Sequence, residues 1–342
     1  MFEPVVAAQP PMKDFRLSSG KVLPTTPVFD IYWRFAFERQ EMFYRRVEGA
    51  QPPWTTDPIL RAYRFTNPYR AADRVSQYLI RHVIYDGDQS AEEVCFRTLL
   101  FKVFNRIETW TLLKEQIGTL SWRSFDLKQY DAVLGEAMRT GAKIYSPAYI
   151  MPSPSFGSQR KHTNHLHLLK KMMETGLPEQ VASAKSLKDV YLKLRSYPSL
   201  GSFLGFQFAI DLNYSEVMRF SEMDCVIAGP GARSGIRKAF LDVGELSDED
   251  IIREVTEAAE REFSDRGLEF RKLWGRPLQL IDCQNLFCEV DKYSRVALPS
   301  FEGGGRTRIK RRYSASLSQI PQWYPPKWGL RVPGSFSQSK NR

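Results

Sequence analysis

The sequence predicts a mainly α-helical protein. Apolar residues recur at helical spacing through several long segments, clear alternating strands are scarce, and proline or glycine clusters separate the periodic stretches. With 342 residues, 42% of them hydrophobic and 13% aromatic, the chain can bury a substantial core, in one large domain or two smaller ones.

Taken in order, residues 1–27 are proline-rich and read as irregular. Residues 28–47 are dense in aromatics at helical spacing, with Phe35, Arg39 and Met42 on one face. Pro68 is placed to start a helix over Tyr69–Arg81, with Ala72, Val75 and Leu79 as its stripe. Ala91–Arg106 is apolar nearly all round and reads as a buried central helix. Helices are also expected over Leu127–Arg139 and His162–Met173, with the prolines 147, 152 and 154 marking a long loop between them. Ser186 with Asp189 has the pattern of a capping box for a helix ending near Tyr197. A Pro-Ser-Leu-Gly turn follows, then a second apolar helix that Ser202 would cap, so that 186–213 forms a helical hairpin. Ser247 with Asp250 caps an amphipathic helix striped by Ile251, Ile252, Val255, Ala259 and Phe263. A last helix spans Leu278–Tyr293, and Gly303–Gly305 closes the globular part. The expected organisation is an irregular 1–27, a helical domain over 28–302 and a flexible basic tail over 303–342.

Charge is uneven. The net charge is +10, yet nine of the 49 basic residues follow Glu302, where no acid remains; the rest of the chain is nearly neutral. Such a tail, carrying Trp323, Tyr324 and Trp328, suits sequence-independent attraction to phosphate with stacking on bases. No apolar run is long enough to cross a bilayer, and the proline-broken N-terminus makes a poor signal peptide, so an intracellular protein with no membrane partner is expected. Cys95, Cys225, Cys283 and Cys288 form no C-x-x-C pair and match neither zinc nor iron–sulfur spacing. Of His162, His165 and His167, only the first two share a helical face, and no cofactor or metal is expected.

Five groups of residues have the chemistry for a site. At the hairpin, Gly201 and Gly205 permit close approach, and helix N-terminal N–H groups suit a phosphate, although an ordinary αα-hairpin is the competing reading. Asp224 sits among Met223, Cys225, Val226 and Ile227, which suggests partial burial and a role as general base or as partner of a developing cation; a helix cap is the alternative. The run GPGARSGIRK offers Gly229, Gly231, Arg233, Arg237 and Lys238 for an anion-binding turn, or a plain solvated loop, and lacks the spacing of a kinase phosphate loop. Asn67, Arg70, Asp73, Arg74 and Gln77 gather in one segment, the last four on one helical face that lines a site or forms a surface ion-pair face. Gln284, Asn285 and Glu289 lie on the last helix, where amides suit the edge of a pyrimidine or a structural network.

The segments RFTNPYRAADRVSQYLI, FKVFNRIETW, IYSPAYIMPSP, LKDVYLKLRSYPSLGSFLGFQFAIDLNYS, DCVIAGPGARSGIRKAF and LQLIDCQNLFCEVDKYSR together resemble the helical domain found with 5-hydroxymethyluracil DNA kinases, also described as the alpha-glutamyl/putrescinyl thymine pyrophosphorylase family. The resemblance covers roughly residues 28 to 300. It implies a divergent helix-hairpin-helix fold of the DNA glycosylase type, with DNA as partner. The implied reaction is displacement of pyrophosphate from a pyrophosphorylated 5-hydroxymethyluracil in DNA by an amine or amino-acid co-substrate, after a separate DNA-base kinase. On that reading Arg233, Arg237, Lys238 or Arg70 neutralises the leaving group. Asp224, Asp73 or Glu289 takes the proton, and Asn67, Gln284 and Asn285 hold the base. A glycosylase excising a modified pyrimidine and a non-catalytic DNA-binding module are the rival readings.

Overall fold

Capped helices set the architecture. The computed structural model describes residues 13–148, 150–299, 309, 311–315 and 321–333. Among the described residues there are fourteen α-helices and one two-stranded antiparallel sheet, β1 (Phe15–Arg16) with β2 (Val22–Leu23), so the fold is mainly α. In chain order the helices are α1 (Pro27–Val47), α2 (Pro58–Ala62), α3 (Arg74–Leu79), α4 (Ala91–Phe104), α5 (Ile107–Ile117), α6 (Leu127–Arg139), α7 (Lys161–Glu174), α8 (Leu177–Ala182), α9 (Leu187–Arg195), α10 (Ser202–Leu212), α11 (Pro230–Ala239), α12 (Asp248–Glu257), α13 (Ala259–Asp265) and α14 (Leu280–Ala297). The chain divides into two compact units. One runs to Ala72 and resumes over Val226–Pro321; the other spans Asp73–Cys225 and resumes at Gln322.

In the first unit, Thr26 accepts from the Val28 N–H and Pro27 fills the first turn, which together start α1. Its aromatic face buries Phe29, Tyr32 and Trp33, and Tyr32 meets Phe287 of α14 with ring centroids 4.5 Å apart. Ser247 and Asp250 form the expected reciprocal capping box on α12. The GPGARSGIRK run is not a loop. Gly229 is the cap and Pro230 the first residue of α11, whose Ala232, Ile236 and Ala239 are buried. Two helical glycines lower the local propensity by about 1 kcal/mol each, and close packing on α14 overrides it.

The expected helix over Tyr69–Arg81 is broken. A 3₁₀ turn at Arg70–Ala72 ends before Asp73, which is extended (ψ 146°), and α3 starts afresh and runs into a π turn over Ile80–Ile84. The cause lies in α14: Asp282 accepts from the Arg70 N–H at 2.8 Å, so that group is taken from any helical ladder. Arg70, Asp73, Arg74 and Gln77 therefore do not share one helical face. Gln77 is buried and accepts from the Trp323 N–H.

In the second unit α4 is central, as its all-round apolar sequence implied, and each of its buried charges is matched. Glu93 accepts from Ser121 and from the N–H groups of Trp122 and Arg123; Arg97 donates to the carbonyls of Val83, Ile84 and Asp88; Lys102 pairs with Asp211 of α10 at 2.7 Å. A flexible tail is not what residues 321–333 form. Trp323 packs on Tyr85 (4.8 Å), Trp328 on Tyr214 (5.7 Å), and Tyr324 is buried. Lys327 donates to the carbonyls of Asn213, Ser215 and Met218 just past the end of α10. The aromatics expected to stack on bases thus pack against the protein's own rings, Trp323 and Trp328 edge-on. Residues 303–308, 310, 316–320 and 334–342 of that expected tail lie outside the described residues.

Candidate nucleic-acid interface

The hairpin forms from α9 and α10. Ser186 accepts from the Asp189 N–H at 3.0 Å, whereas Asp189 itself accepts from the Lys185 N–H, so half of the expected capping box is made. Ser199 holds the turn with φ +66°, and buried Leu200 anchors it. Gly205 lies against α9: a Cβ there would stand 3.4 Å from the Arg195 nitrogen. Gly201, not Ser202, is the cap residue of α10, and no side chain caps that end. Gly201 and Ser202 are exposed, and space around Gly201 is open. An uncapped helix start of this kind presents N–H donors and the positive end of the dipole to solvent. Exposed Lys185, Lys188 and Arg195 add positive charge on α9 and its approach.

Asp224 is exposed, contrary to the burial that its apolar neighbours suggested. It lies in a non-helical stretch, where its neighbours turn inward and it turns out. Its carboxylate accepts from the Leu187 N–H at 2.8 Å, at the first residue of α9. Asp224 is thus not the cap residue of a helix of its own; Ser186 caps α9, and Asp224 adds an acceptor for that helix's first N–H. Nine residues of α9 put this acid about 13 Å from the turn, at the other end of the helix. Asp73, in the same unit, is half-buried at the cap position of α3.

The remaining candidates belong to the first unit. Segment 64–70 lies along α14: Glu289 accepts from the Thr66 N–H at 3.3 Å and Asp282 from the Arg70 N–H. Asn67 accepts from Arg39 at 2.5 Å and donates to the Ala72 carbonyl, and Arg70 is 4% exposed. Lys292 also pairs with Glu289; burial pushes its ammonium down, but Glu289 raises it above the usual lysine range. Asn285, half-buried, shares the helical face of Asp282 and Glu289. Gln284 shares instead the face of Cys288 and Asp291, which meets α11, and its buried Oε1 has no hydrogen-bond partner among the described residues. The two amides do not act as one reader.

Most of the phosphate candidates on α11 serve the interior. A Cβ on Gly231 would meet the Cys288 sulfur at 2.4 Å, and one on Gly235 the Phe287 carbonyl oxygen at 2.2 Å, so these glycines let two helices touch. Lys238 is buried and pairs with Asp291 at 3.0 Å, which removes it from any anion outside. Burial pushes the Asp291 carboxyl up, yet Ser234, Lys238 and Arg295 hold it below its ordinary value. At the start of α11, Glu249 accepts from the Ala228 N–H, and Arg233 stands 3.7 Å from both Asp248 and Glu249. The protein's own acids occupy the place expected for a phosphate beside Gly229. Arg237 is exposed.

Among the described residues no cluster of histidine, cysteine or acid could hold a metal, and no helix is long and apolar enough to cross a membrane. His165 is fully buried between the Tyr145 hydroxyl (2.7 Å) and the Pro152 carbonyl (2.9 Å). A carbonyl only accepts, so Nε2 carries the proton and Nδ1 accepts from Tyr145. Burial pushes this imidazole down to about 4. Burial likewise pushes the thiols of Cys95 and Cys283 up to about 12, which leaves them inert. Lys327 is the contact that sequence reasoning missed, because no local pattern foretells a lysine bound by three distant carbonyls.

The family model for the 5-hmdU DNA kinase helical domain matches residues 26–303. A 5-hmdU DNA kinase of Bacillus phage SP10 is 29% identical over 290 residues, which are 78% of this chain and 45% of that protein. The chain thus spans less than half the length of this curated relative. No solved structure matches. With most of its length inside the match, the chain belongs to the family of the 5-hmdU DNA kinase helical domain.

Proposed function

We propose that this chain takes part in hypermodification of thymine-type bases in DNA, and that it displaces pyrophosphate from pyrophosphorylated 5-hydroxymethyluracil with an amine or amino acid. The observation that carries the reading is the family match over residues 26–303. The geometry that favours a DNA partner is the exposed, uncapped start of α10 at Gly201, with exposed Arg195 at the near end of α9. In the proposed step the bond from the base methylene to the pyrophosphate oxygen breaks, and its electron pair leaves with pyrophosphate. A carbon–nitrogen bond forms, and the amine proton passes to a carboxylate. Asp224 is the first candidate because it is exposed and already accepts a hydrogen bond; Asp73 is the next. Glu289 is engaged by Thr66 and Lys292 and fits this task less well. Arg237 is the cation on α11 most open to an anion, since Arg233 donates to the Ala228 carbonyl at 3.1 Å and pairs with Asp248 and Glu249.

A second reading has its own support. The match is to a helical domain and covers 45% of a protein named as a kinase, and the glycines of this chain pack helices instead of forming a phosphate loop. A non-catalytic DNA-binding partner of a separate DNA-base kinase fits these facts. One assay separates the readings. The chain is incubated with DNA bearing pyrophosphorylated 5-hydroxymethyluracil and a pool of amino acids and polyamines, and the digested nucleosides are weighed by mass spectrometry. An aminated nucleoside is expected. An abasic site would replace the transfer reading with base excision, and DNA binding without either product would leave the binding module.

A further inference from the structure

The first unit holds a cleft of about 340 Å³ that none of the roles above uses. Met42, Pro52, Pro53 and Trp54 form its apolar side, and Tyr313 and Arg61 complete it. Tyr313 is brought there by pairing: its N–H donates to the Ala62 carbonyl, the Arg64 N–H donates to the Arg311 carbonyl, and Tyr63 bridges Arg312. The volume lies in the range of small-ligand sites, and apolar and aromatic walls with one placed charge are the usual lining of such sites.

Its surroundings are strongly cationic. Residues 45–64 and 311–315 contain six arginines, of which Arg45 is paired by Glu38 and Glu41 of α1, and two acids, Glu48 and Asp57. Both acids are engaged elsewhere: Glu48 pairs with Arg271 at 2.5 Å, and Asp57 accepts from the Ile59 and Leu60 N–H groups and from the Tyr293 hydroxyl. Two of the arginines already lie on aromatic faces, Arg46 over Trp54 (5.6 Å) and Arg312 over Tyr63 (4.8 Å). Arg61 is exposed and lines the cleft. Among the described residues no carboxylate lines it.

We propose that this cleft binds one nucleotide, its base against the Trp54, Pro53 and Tyr313 wall and its phosphate on Arg61. An apolar, aromatic-walled slot with one guanidinium in its lining fits a planar base attached to an anion, since stacking and phosphate contact then act together. The choice of a nucleotide over another planar anion rests on the DNA reading above. The nucleotide comes either from a single strand or from free solution, and the chemistry of the cleft is the same for both.

The test is a titration of the full chain, in two arms, with oligothymidylate and with thymidine 5′-monophosphate, without amine or pyrophosphorylated base. Binding in at least one arm is expected, weakened tenfold or more by Arg61→Ala and by Tyr313→Ala, with circular dichroism confirming that each variant is folded. Tighter binding of the oligonucleotide assigns the site to a strand; equal or tighter binding of the mononucleotide assigns it to the free nucleotide. For a strand, Arg61→Ala should also lower the salt slope by about 0.7. Binding in neither arm, or either variant binding as tightly as the parent, overturns the proposal. Because no turnover is read, failure of the transfer reaction leaves this result standing, and failure of the cleft leaves the transfer reading standing.

Discussion

Gly235→Ala tests whether the glycines of α11 exist for packing or for phosphate. The added Cβ would stand 2.2 Å from the Phe287 carbonyl oxygen, 2.8 Å from its carbon and 3.2 Å from the Phe287 Cα. All three are backbone atoms, so no rotamer change relieves them, and α11 must retreat from α14 by roughly 1 Å to reach ordinary contact. Helix propensity acts in the opposite direction, since alanine is favoured over glycine in a helix interior by about 1 kcal/mol. Overpacking costs about 1–3 kcal/mol, and a clash with backbone belongs at the top of that range. The balance is a loss of about 1–2 kcal/mol, or a melting temperature lower by a few degrees. Thermal unfolding by circular dichroism reads it, alongside a DNA titration of the folded variant. An unchanged or raised melting temperature would refute the packing argument, because propensity alone predicts a gain. Gly231→Ala should cost less, since its closest neighbour is the Cys288 thiol, which can turn aside.

Three other outcomes follow from the same geometry. His165 is held neutral at about 4, below an unfolded value near 6.5, so the unfolded chain binds more protons between these limits; stability should fall by up to about 3 kcal/mol as pH drops through that window, and His165→Asn should flatten the urea midpoint against pH. Lys327→Met leaves the carbonyls of Asn213, Ser215 and Met218 without their ammonium and should cost about 1–3 kcal/mol; an unchanged urea midpoint would show that the clasp is decorative. Asp224→Asn keeps an acceptor for the Leu187 N–H, so the melting temperature should hold within about 1 °C while the proposed transfer is lost; surviving turnover removes Asp224 from the chemistry.

Much of the fold was legible because its signals are local. The Ser247–Asp250 box and the apolar faces of α1 and α4 each announce an element within one or two turns. The errors share a different cause. Gly231 and Gly235 look like a loop until Phe287 and Cys288, more than fifty residues on, are known to lie against them. Lys238 looks like one more solvated charge until Asp291 is placed beside it. Asp224 sits among apolar neighbours, but in a stretch without helical period, where a neighbour's burial says nothing of its own. The tail aromatics were read from composition, which does not distinguish a ring awaiting a base from one packed edge-on against Tyr85 or Tyr214.

The same long-range pairing changes what the two segments RFTNPYR and QNLFCEVDKY can mean. They were expected to carry substrate contacts, and they do meet, through Glu289 on the Thr66 N–H and Asp282 on the Arg70 N–H. Each carboxylate fixes backbone, and together they span two turns of α14, about 10 Å. A loop clamped at two such points is positioned with little freedom, which a binding surface needs and a general base does not supply. Between the clamps, on the same face, stands Asn285, half-buried, its side-chain amide without a hydrogen bond among the described residues. An amide held between two fixed points and still lacking a partner has both a donor and an acceptor to offer, which is what the edge of a pyrimidine requires. If this face holds the base, Asn285→Ala should weaken binding of modified DNA by tenfold or more and leave the melting temperature unchanged. Glu289→Ala should do the reverse, loosening the 64–70 segment and lowering the melting temperature. Identical responses from the two variants would mean that the face is only a packing surface.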